Sequence, residues 1–583
     1  MATRPPETKR QRYDRLWSYL LNELNSSWRP HWQEINDYVS PRRVRWNNST
    51  DRNRGERRNQ KIIDAHGSLA LRTATAGLMA GVTSPARPWM RLTTPDPDLA
   101  EFGPVKEWLY TVTRRMLDVF ARSNFYNTLG PFYRDMLAFG TAAELLLEDG
   151  TDVLRGYGFP LGSYVIATDD TGRVDTILRE FTMTVRQIVR RYGQRDDRTG
   201  AARWDNISHH VRQLWDGGHY ENPIEVVHVI TPNADYDPRR LSAAYKRWAS
   251  CYFEKASREY IATDREKFLR ESGFDRFPAL VGRWDLASHD DVYGWPCPGM
   301  DALGDIKSLQ LLQKRKAQAI EKAYNPPLTG PASLRTTRVS SLPGDITYED
   351  VREGQKGLRA IYDVKPDIQG LLLDIDDHHQ RISRAFFEDL FLLLTLRRDD
   401  DPQKTAREVA ELHEEKLIML GPVLDRLDNE VLGPAIDLTF DIMRRFPDRE
   451  LIPAPPEEIA GVDLRVEYIS VLAQAQKLIG VGAIERFWTN VRMIADIRPD
   501  AVDKVDTDQM IDELGDEIGV PPRILVPDDK VVAIRDARAQ AQARAEKLAV
   551  LAQAAATGKT LADTDTGGKN ALTDLVAAAG GNA

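Results

Sequence analysis

The chain has little cysteine and no long apolar run. Its 583 residues include only Cys251 and Cys297 as cysteines, so we expect no disulfide framework and a reducing compartment. No uninterrupted apolar stretch reaches the roughly 18 residues that a transmembrane helix needs, because Arg72 breaks the best candidate, Leu69 to Val82. The N-terminal residues lack the apolar region of a secretory signal, so none is predicted.

The charge balance is acidic, with a net charge of −9. This argues against a protein that coats nucleic acid, but it is compatible with one through which nucleic acid passes, since tight neutralisation of phosphates would stall a moving duplex. Apolar and charged residues make up 42% and 29% of the chain, which is typical of globular proteins. The length predicts several domains around a sizeable core.

The segment from Asp64 to Trp89 is rich in small residues and predicts a closely packed helix. Small side chains let two helices approach closely. We expect the helix to end at Ser84-Pro85 and an extended segment to begin at Pro88-Trp89. An ordinary helical core would also explain the pattern. The small residues are Gly67, Ala70, Ala74, Gly77, Ala80 and Gly81, and Leu69, Thr73, Ala76 and Ala80 share helical spacing.

An aromatic stripe precedes this helix and supplies the strongest resemblance. Trp28, Trp32, Ile35 and Tyr38 recur at helical spacing up to Ser40-Pro41. A basic linker follows, and then the small-residue helix that ends in Pro-x-x-Pro-Trp. This order resembles the head-to-tail connecting (portal) proteins of short-tailed bacteriophages, most closely over roughly the first 150 residues. The resemblance implies a mainly α fold with an α+β wing domain, stem helices, a clip and a crown or barrel helix.

Residues 1–150 read mainly as helix, and residues 151–300 as an α+β domain with an antiparallel sheet. Amphipathic patterns predict helices from Phe102 to Asn124 and from Asn127 to Leu147. Short β-like runs between turn residues follow. The predicted strands are Tyr164–Ala167, Val174–Phe181, Val226–Ile230 and Cys251–Phe253, and Thr184–Tyr192 and Ala202–Leu214 are predicted helices.

Two long helices with an irregular insert follow, and the portal family's order of elements can be laid onto them. A plain helical hairpin with a long loop would give the same pattern, but a structureless loop of about 40 residues is uncommon, so we expect the insert to fold. Short strand-like pieces lie near Thr347-Tyr348 and Ala360–Tyr362. The resemblance implies a descending stem helix (301–324), a clip (325–365), an ascending stem helix (366–395) and a tunnel loop (396–404).

The C-terminal part is predicted to be helical. Residues 405–530 would supply a long wing helix and a crown region, with kinks at Gly421-Pro422 and Gly433-Pro434. Residues 531–556 form an Ala-rich helix, which the resemblance implies to be a crown or barrel helix. The tail from 557 to 583 is rich in Gly, Thr and Asp and is expected to be disordered.

The resemblance implies a mechanical and organisational role with no catalytic residues, no metal and no cofactor. The expected product is a homo-oligomeric ring of twelve subunits at one capsid vertex of the virion, assembled in the host cytoplasm, with no membrane contact. The expected partners are double-stranded DNA in the channel, the major capsid and scaffolding proteins, terminase, and the tail adaptor and nozzle proteins.

Three groups of residues are candidates for these roles. The channel candidates are Lys314, Arg315, Lys316, Lys322, Arg397, Arg398 and Lys404. The clip candidates, for docking terminase and the tail adaptor, are Arg335, Arg338, Tyr348, Arg352 and Tyr362. The candidates for contacts between subunits are Leu371, Ile375, Ile382 and Phe386.

Two other functions stay open from the residues alone. A metal-dependent nuclease could use Asp374, Asp377 and His378, because Asp374 and His378 share a helix face; a solvated polar patch is the competing interpretation. A monomeric nucleic-acid-binding protein could use the basic run from Arg42 to Lys61, which could equally be a solvated linker. Thr557–Thr560 (TGKT) resembles the end of a P-loop, but Gln553 replaces the required glycine.

Overall fold

The computed structural model describes most of the chain up to residue 563. The described residues are 7–46, 55, 59–96, 99–100, 102–195, 202–255, 267–324, 326, 328–330, 359–360, 367–395, 420–446, 450–459, 461, 464–469, 487–494, 498, 504–518, 526 and 528–563. The chain divides into two compact units. Unit 1 comprises 1–90, 113–452 and 468–479, and unit 2 comprises 91–112, 453–467 and 480–583.

Helices and strands are numbered along the described residues. The helices are α1 (Lys9–Ser26), α2 (Trp28–Tyr38), α3 (His66–Gly81), α4 (Gly103–Arg122), α5 (Phe125–Phe139), α6 (Val185–Tyr192), α7 (His209–Asp216), α8 (Pro298–Asp301), α9 (Leu303–Tyr324), α10 (Ile368–Ala385), α11 (Glu388–Thr395), α12 (Gly433–Arg445), α13 (Thr507–Ile518) and α14 (Asp528–Asp563). The strands are β1 (Met90–Thr93), β2 (Thr141–Asp149), β3 (Val153–Gly158), β4 (Tyr164–Thr168), β5 (Val174–Thr184), β6 (Gln194–Arg195), β7 (Ala202–Arg203), β8 (Pro223–Pro232), β9 (Trp248–Glu254), β10 (Arg270–Phe274), β11 (Ala279–Arg283), β12 (Leu328–Thr329), β13 (Arg359–Ala360) and β14 (Arg465–Tyr468).

The N-terminal helices of unit 1 follow the predicted pattern. Thr8 caps α1 by accepting a hydrogen bond from the Gln11 amide while the Gln11 side chain returns one to the Thr8 amide, a capping box. Helix α2 spans the aromatic stripe and buries Trp32 and Ile35 completely. Helix α3 is the predicted small-residue helix, so both N-terminal predictions are confirmed.

The helix predicted from Asn127 to Leu147 is wrong in its second half. Helix α5 stops at Phe139 because Gly140 takes a left-handed conformation with φ of +80°, which favours glycine. Residues 141–149 then form β2, the centre of an antiparallel sheet with the order β11-β2-β3. Cross-strand pairing on both sides overrides the helical preference of its Ala, Glu and Leu residues.

The four strands predicted within residues 151–300 are present as parts of β4, β5, β8 and β9. They belong to a five-stranded antiparallel sheet with the order β10-β9-β8-β5-β4. Helices α6 and α7 pack on one face and bury Ile188, Val211 and Tyr252. The helix predicted over Ala202–Leu214 begins later, at His209, because Ser208 caps it by accepting a hydrogen bond from the Val211 amide.

The two long helices predicted on either side of the insert are present, with one unpredicted break. Helix α9 ends at Tyr324, directly before Asn325-Pro326-Pro327, as expected. The returning helix divides into α10 and α11 at Phe386-Phe387, where Phe387 has a positive φ of 55°. Strands β12 and β13 pair antiparallel and bring the two ends of the insert together. Most of the predicted clip and all of the predicted tunnel loop lie outside the described residues.

A π-helical turn interrupts the last long helix of unit 1. Asp428–Leu432 is π-helical and leads directly into Gly433-Pro434, one of the two predicted irregularities. Proline cannot donate the backbone hydrogen bond of a regular helix, and the wider turn accommodates that loss.

Unit 2 contains residues 91–93 of β1, residues 465–467 of β14, and the C-terminal helices α13 and α14. The Arg91 guanidinium pairs with Glu467 at 2.5 Å, and the Trp108 indole donates to the Pro453 carbonyl at 3.0 Å. Helix α14 extends beyond the predicted Ala556 to Asp563, so residues 557–563 are helical and the predicted tail begins later. None of the described helices is long and apolar enough to cross a bilayer.

Candidate functional site

The paired helices α9 and α10 form the most distinctive feature of unit 1. Residues 303–310 and 375–386 are called the hairpin root, and residues 311–324 and 368–374 the distal half. The root buries Ile306, Leu309, Ile375 and Ile382. No residue of the distal half is buried within this chain. A helix pair that leaves half its length uncovered is typical of a projecting element.

A polar cluster centred on Asp64 ties the hairpin, at the border between its root and its distal half, to the start of α3. One oxygen of the Asp64 carboxylate accepts hydrogen bonds from Gln313 at 2.7 Å and from His379 at 3.0 Å, and the other accepts from the His66 amide at 2.8 Å. Burial raises the pKa of Asp64, but these hydrogen bonds outweigh it and the net shift is downward. The His66 and His379 rings stack with centroids 4.2 Å apart.

Gln310 completes the connection from α9. Its side-chain oxygen accepts from the amides of Ile63 and Asp64 at 2.6 and 2.8 Å, and its nitrogen donates to the Asp64 carbonyl at 2.9 Å. A buried amide with these bonds replaces the hydrogen bonds that the preceding loop would otherwise make with water. The loop before α3 is therefore fixed to α9.

Glycines bring α3 against the hairpin root and α11. A Cβ atom at Gly67 would lie 2.7 Å from Cδ1 of Ile306. A Cβ atom at Gly77 would overlap the ring of Phe391. The small-residue pattern thus has the predicted physical cause, close packing, on the face that includes Gly67, Ala70, Ala74 and Gly77. Leu69, Ala76 and Ala80 lie on the exposed face.

We expect Gly77→Ala to destabilise unit 1 by about 1–3 kcal/mol, the usual cost of overpacking a core. The Phe391 ring is itself buried, with 1% exposure, and cannot move aside freely. Thermal unfolding followed by calorimetry measures the effect. Gly304→Ala in α9 is the matched control, because a Cβ there meets no atom within 4 Å, and it should gain up to about 1 kcal/mol. Equal stability of Gly77→Ala and the unmodified chain would contradict the close packing.

The hairpin carries the described channel candidates on its distal half. Lys314, Arg315 and Lys322 are exposed and Lys316 is partly exposed. Whether they face a channel stays a prediction. Arg397, Arg398, Lys404 and the clip candidates Arg335, Arg338, Tyr348, Arg352 and Tyr362 lie outside the described residues.

The candidates for contacts between subunits pack mainly within their own chain. Ile375, Ile382 and Phe386 are at most 4% exposed, and Leu371 is partly exposed. Their role between subunits stays a prediction. On the same helix, Leu372 and Leu373 are 48% and 73% exposed. The periodic pattern identified the apolar face of α10 but could not separate the side that α9 and α3 cover from the side left open.

The whole chain is similar to known connecting proteins of bacteriophages. The family described as bacteriophage head to tail connecting protein matches residues 10–525. The chain is 45% identical over 575 residues to the portal protein of Salmonella phage epsilon15, covering 98% of this chain and 99% of that protein. It is 44% identical over 575 residues to the probable portal protein of Bordetella phage BPP-1, covering 99% of each.

This chain belongs to the bacteriophage head-to-tail connecting proteins. The family predicted from the N-terminal motif is thereby confirmed over nearly the full length, and with it the role of a phage portal, a head-tail connector. The mixed fold, mainly helical with sheets, is also confirmed. The similarity favours a structural role over the nuclease and the nucleic-acid-binding monomer.

The structure of this connecting protein does not bring the residues of the candidate nuclease site together. His378 directs Nδ1 at Asp305 of α9, 2.9 Å away, and Asp377 pairs with Arg381 one turn along α10. Within the described parts of the chain, no three His, Cys, Asp or Glu side chains are grouped so as to hold a metal ion. The polar patch around His378 instead joins the two hairpin helices.

Part of the basic run is committed to structural ion pairs. Arg43 makes a bidentate pair with the buried Asp135 carboxylate at 2.5 and 2.7 Å, and this two-point geometry makes the pair specific. Lys61 contacts Asp37 at 2.7 Å. The rest of the run lies largely outside the described residues. The TGKT segment lies within α14, so its backbone does not form a phosphate loop.

Sequence reasoning missed the Asp64 cluster and a buried pair between Arg283 and Glu430. Asp64 lies two residues before His66, a spacing that allows an aspartate to accept a hydrogen bond from the first amide of a helix. This contact could therefore have been predicted from the sequence. Arg283 and Glu430 are far apart in sequence, and no local pattern links them.

Proposed function

We propose that copies of this head-to-tail connecting protein form a closed ring of twelve subunits at one capsid vertex of the virion, with the hairpin around a channel for double-stranded DNA. The full-length similarity to the epsilon15 portal protein carries this proposal. A closed ring needs heterologous contacts, in which one flank of each subunit matches the other. The exposed apolar residues of the distal half, Leu311, Leu372 and Leu373, suit such contacts.

The finer assignments follow the order of elements. Helices α9 and α10–α11 serve as the stem, the insert between them as the clip, and α14 as the crown helix. The clip docks terminase during packaging and the tail adaptor and nozzle proteins afterwards. The capsid and scaffolding proteins contact the outside of the ring during assembly in the host cytoplasm. The role is mechanical, and no residue is assigned to catalysis.

The stem cations are expected to matter for packaging and not for assembly. In a variant with glutamine at Lys314, Arg315, Lys316 and Lys322, we expect rings of normal mass but a several-fold lower fraction of DNA-filled heads. The reason is that the electrostatic attraction between these cations and the phosphates of the duplex is lost. Lys307→Gln is the matched control on the same helix, since its ammonium already pairs with Glu34 at 2.9 Å.

Negative-stain electron microscopy with mass measurement tests the ring, and counting filled heads tests the channel. A normal fraction of DNA-filled heads with the four-residue variant, or with Arg397→Ala/Arg398→Ala at the proposed tunnel loop, would show that the substituted residues do not act on the DNA. A monomer under all assembly conditions would contradict the ring itself.

A further inference from the structure

A group of arginines lies on one face of the five-stranded sheet, outside the elements assigned to the portal role. The strand register pairs Arg179 with His228, His228 with Tyr252, and Tyr252 with Arg270. Directly paired residues of antiparallel strands project from the same face. Two arginines therefore stand at the ends of one cross-strand row, with neutral rings between them.

The Arg179 guanidinium is fixed among rings. It lies 4.5 Å from the ring centre of Phe159 and 4.8 Å from that of Phe181, and its Nε donates to Nδ1 of His228 at 3.3 Å. His228 then carries its proton on Nε2, which donates to the Ser250 hydroxyl at 2.9 Å. Burial and nearby arginines, Arg179 first, hold the pKa of His228 well below its usual value, so the ring is neutral.

Helix α6 adds Arg190 and Arg191 to this face. Arg191 lies over the rings of Tyr192 and Tyr252, at 5.7 and 6.0 Å. One turn earlier on the same helix, Arg186 is paired with Glu221. Among the residues that the structure describes, no carboxylate forms an ion pair with Arg179, Arg190, Arg191 or Arg270. Such a concentration of arginines on one face is unexpected in a chain of net charge −9.

An open cavity of about 540 Å³ lies beside these cations. Strand β5 supplies an apolar floor with Phe181 and Met183, and α6 supplies a polar rim with Gln187, Arg190 and Arg191. Strand β4 pairs with residues 174–179 of β5, and the floor residues lie further along β5.

We propose that this cavity binds an acidic peptide segment of a partner protein, with its carboxylates on Arg190 and Arg191 and its apolar side chains on Phe181 and Met183. Arginine suits this role because its planar fork can make bidentate hydrogen bonds with a carboxylate. A duplex would instead need cations spread along its phosphate backbone, whereas these converge on a pocket with an apolar floor. The inference goes beyond the portal role and does not depend on ring formation.

Fluorescence anisotropy of the full-length protein tests the proposal. The probe is a fluorescein-labelled octapeptide of alternating glutamate and leucine, and its charge control has glutamine in place of glutamate. We expect the Arg190→Gln/Arg191→Gln variant to bind the probe at least about tenfold more weakly, since charged hydrogen bonds contribute about 1.5–3 kcal/mol. Arg186→Gln is the matched control and should bind within about twofold of the unmodified protein.

Several outcomes would overturn the proposal. The first is a double variant that binds the glutamate peptide as tightly as the unmodified protein does. The second is a loss of affinity in Arg186→Gln as large as that in the double variant. The third is a glutamine peptide that binds as tightly as the glutamate peptide. Tighter binding of a labelled DNA duplex that the same double variant abolishes would make the ligand nucleic acid instead. If the double variant does not fold, Arg190→Lys/Arg191→Lys replaces it, because lysine keeps the positive charge but lacks the planar guanidinium group. Undiminished binding by this variant would rule out the bidentate contact.

Discussion

Replacing Glu430 with glutamine is expected to destabilise unit 1 by about 3–5 kcal/mol, the cost of leaving a buried charge without its partner. Arg283 is only 4% exposed. Its guanidinium contacts Glu430 at 2.6 Å, and its backbone amide donates to the same carboxylate at 3.0 Å. The remaining donors reach the carbonyls of Asp291 and Gly172 at 3.1 and 2.9 Å. Loss of the carboxylate charge would leave the guanidinium buried among neutral acceptors.

Calorimetry of the thermal transition measures this loss. Asp437→Asn in the adjoining α12 is the control, because its pair with Arg276 at 2.9 Å is more than half exposed on both sides, and such surface pairs contribute about 0–1 kcal/mol. A Glu430→Gln protein as stable as the Asp437→Asn protein would show that the buried pair gives no net stabilisation.

Glu144→Gln is expected to stabilise the protein at pH 8 and to change little at pH 4. Glu144 is fully buried in β2, and neither of its carboxyl oxygens has a hydrogen-bond partner among the described residues. Burial raises its pKa to about 7, and the nearby Thr128 hydroxyl lowers it only in part. That hydroxyl is already occupied, since it donates to the Phe125 carbonyl at 2.9 Å.

The sign of the pH dependence follows from linkage. The unfolded chain releases this proton near pH 4.5, whereas the folded chain holds it to about 7, so stability falls across that interval and is then constant. The shift corresponds to about 3 kcal/mol, which the neutral glutamine should recover above pH 7. Denaturant unfolding at pH 4 and pH 8 measures it, with the exposed Glu148→Gln on the same strand as control. A gain of equal size at both pH values would assign the effect to packing.

Local patterns predicted the elements that local chemistry determines. The stripe from Trp28 to Tyr38, the small residues of α3 and the proline stop after Tyr324 each appear where expected. These signals depend on helical spacing and on backbone restrictions that act within a few residues. They were also sufficient to identify the family, because the N-terminal motif that carries the resemblance is local.

Long-range contacts decided the features that the sequence did not reveal. The Ala-Glu-Leu run after Gly140 would be helical alone, and it became a strand because β3 and β11 flank it. No glycine or proline near Phe387 predicts the break in the helix there. His378 and Asp374 share a helix face as predicted, but the partner of His378 is Asp305 on α9, and that register depends on the packing of two helices distant in sequence.

The fixed root and uncovered distal half of the hairpin make it a beam held at one end. Gln310 and the close contact at Gly67 lie at the root, and the Asp64 cluster lies at its border. A sideways load at the far end of α9 therefore acts on the root through residues 311–324, a lever arm of about 21 Å at 1.5 Å for each residue. Small tilts of the distal half thus reach α3 as torque. The overlap that any side chain at Gly77 would cause leaves α3 little room to yield, so the load passes into the body of the subunit.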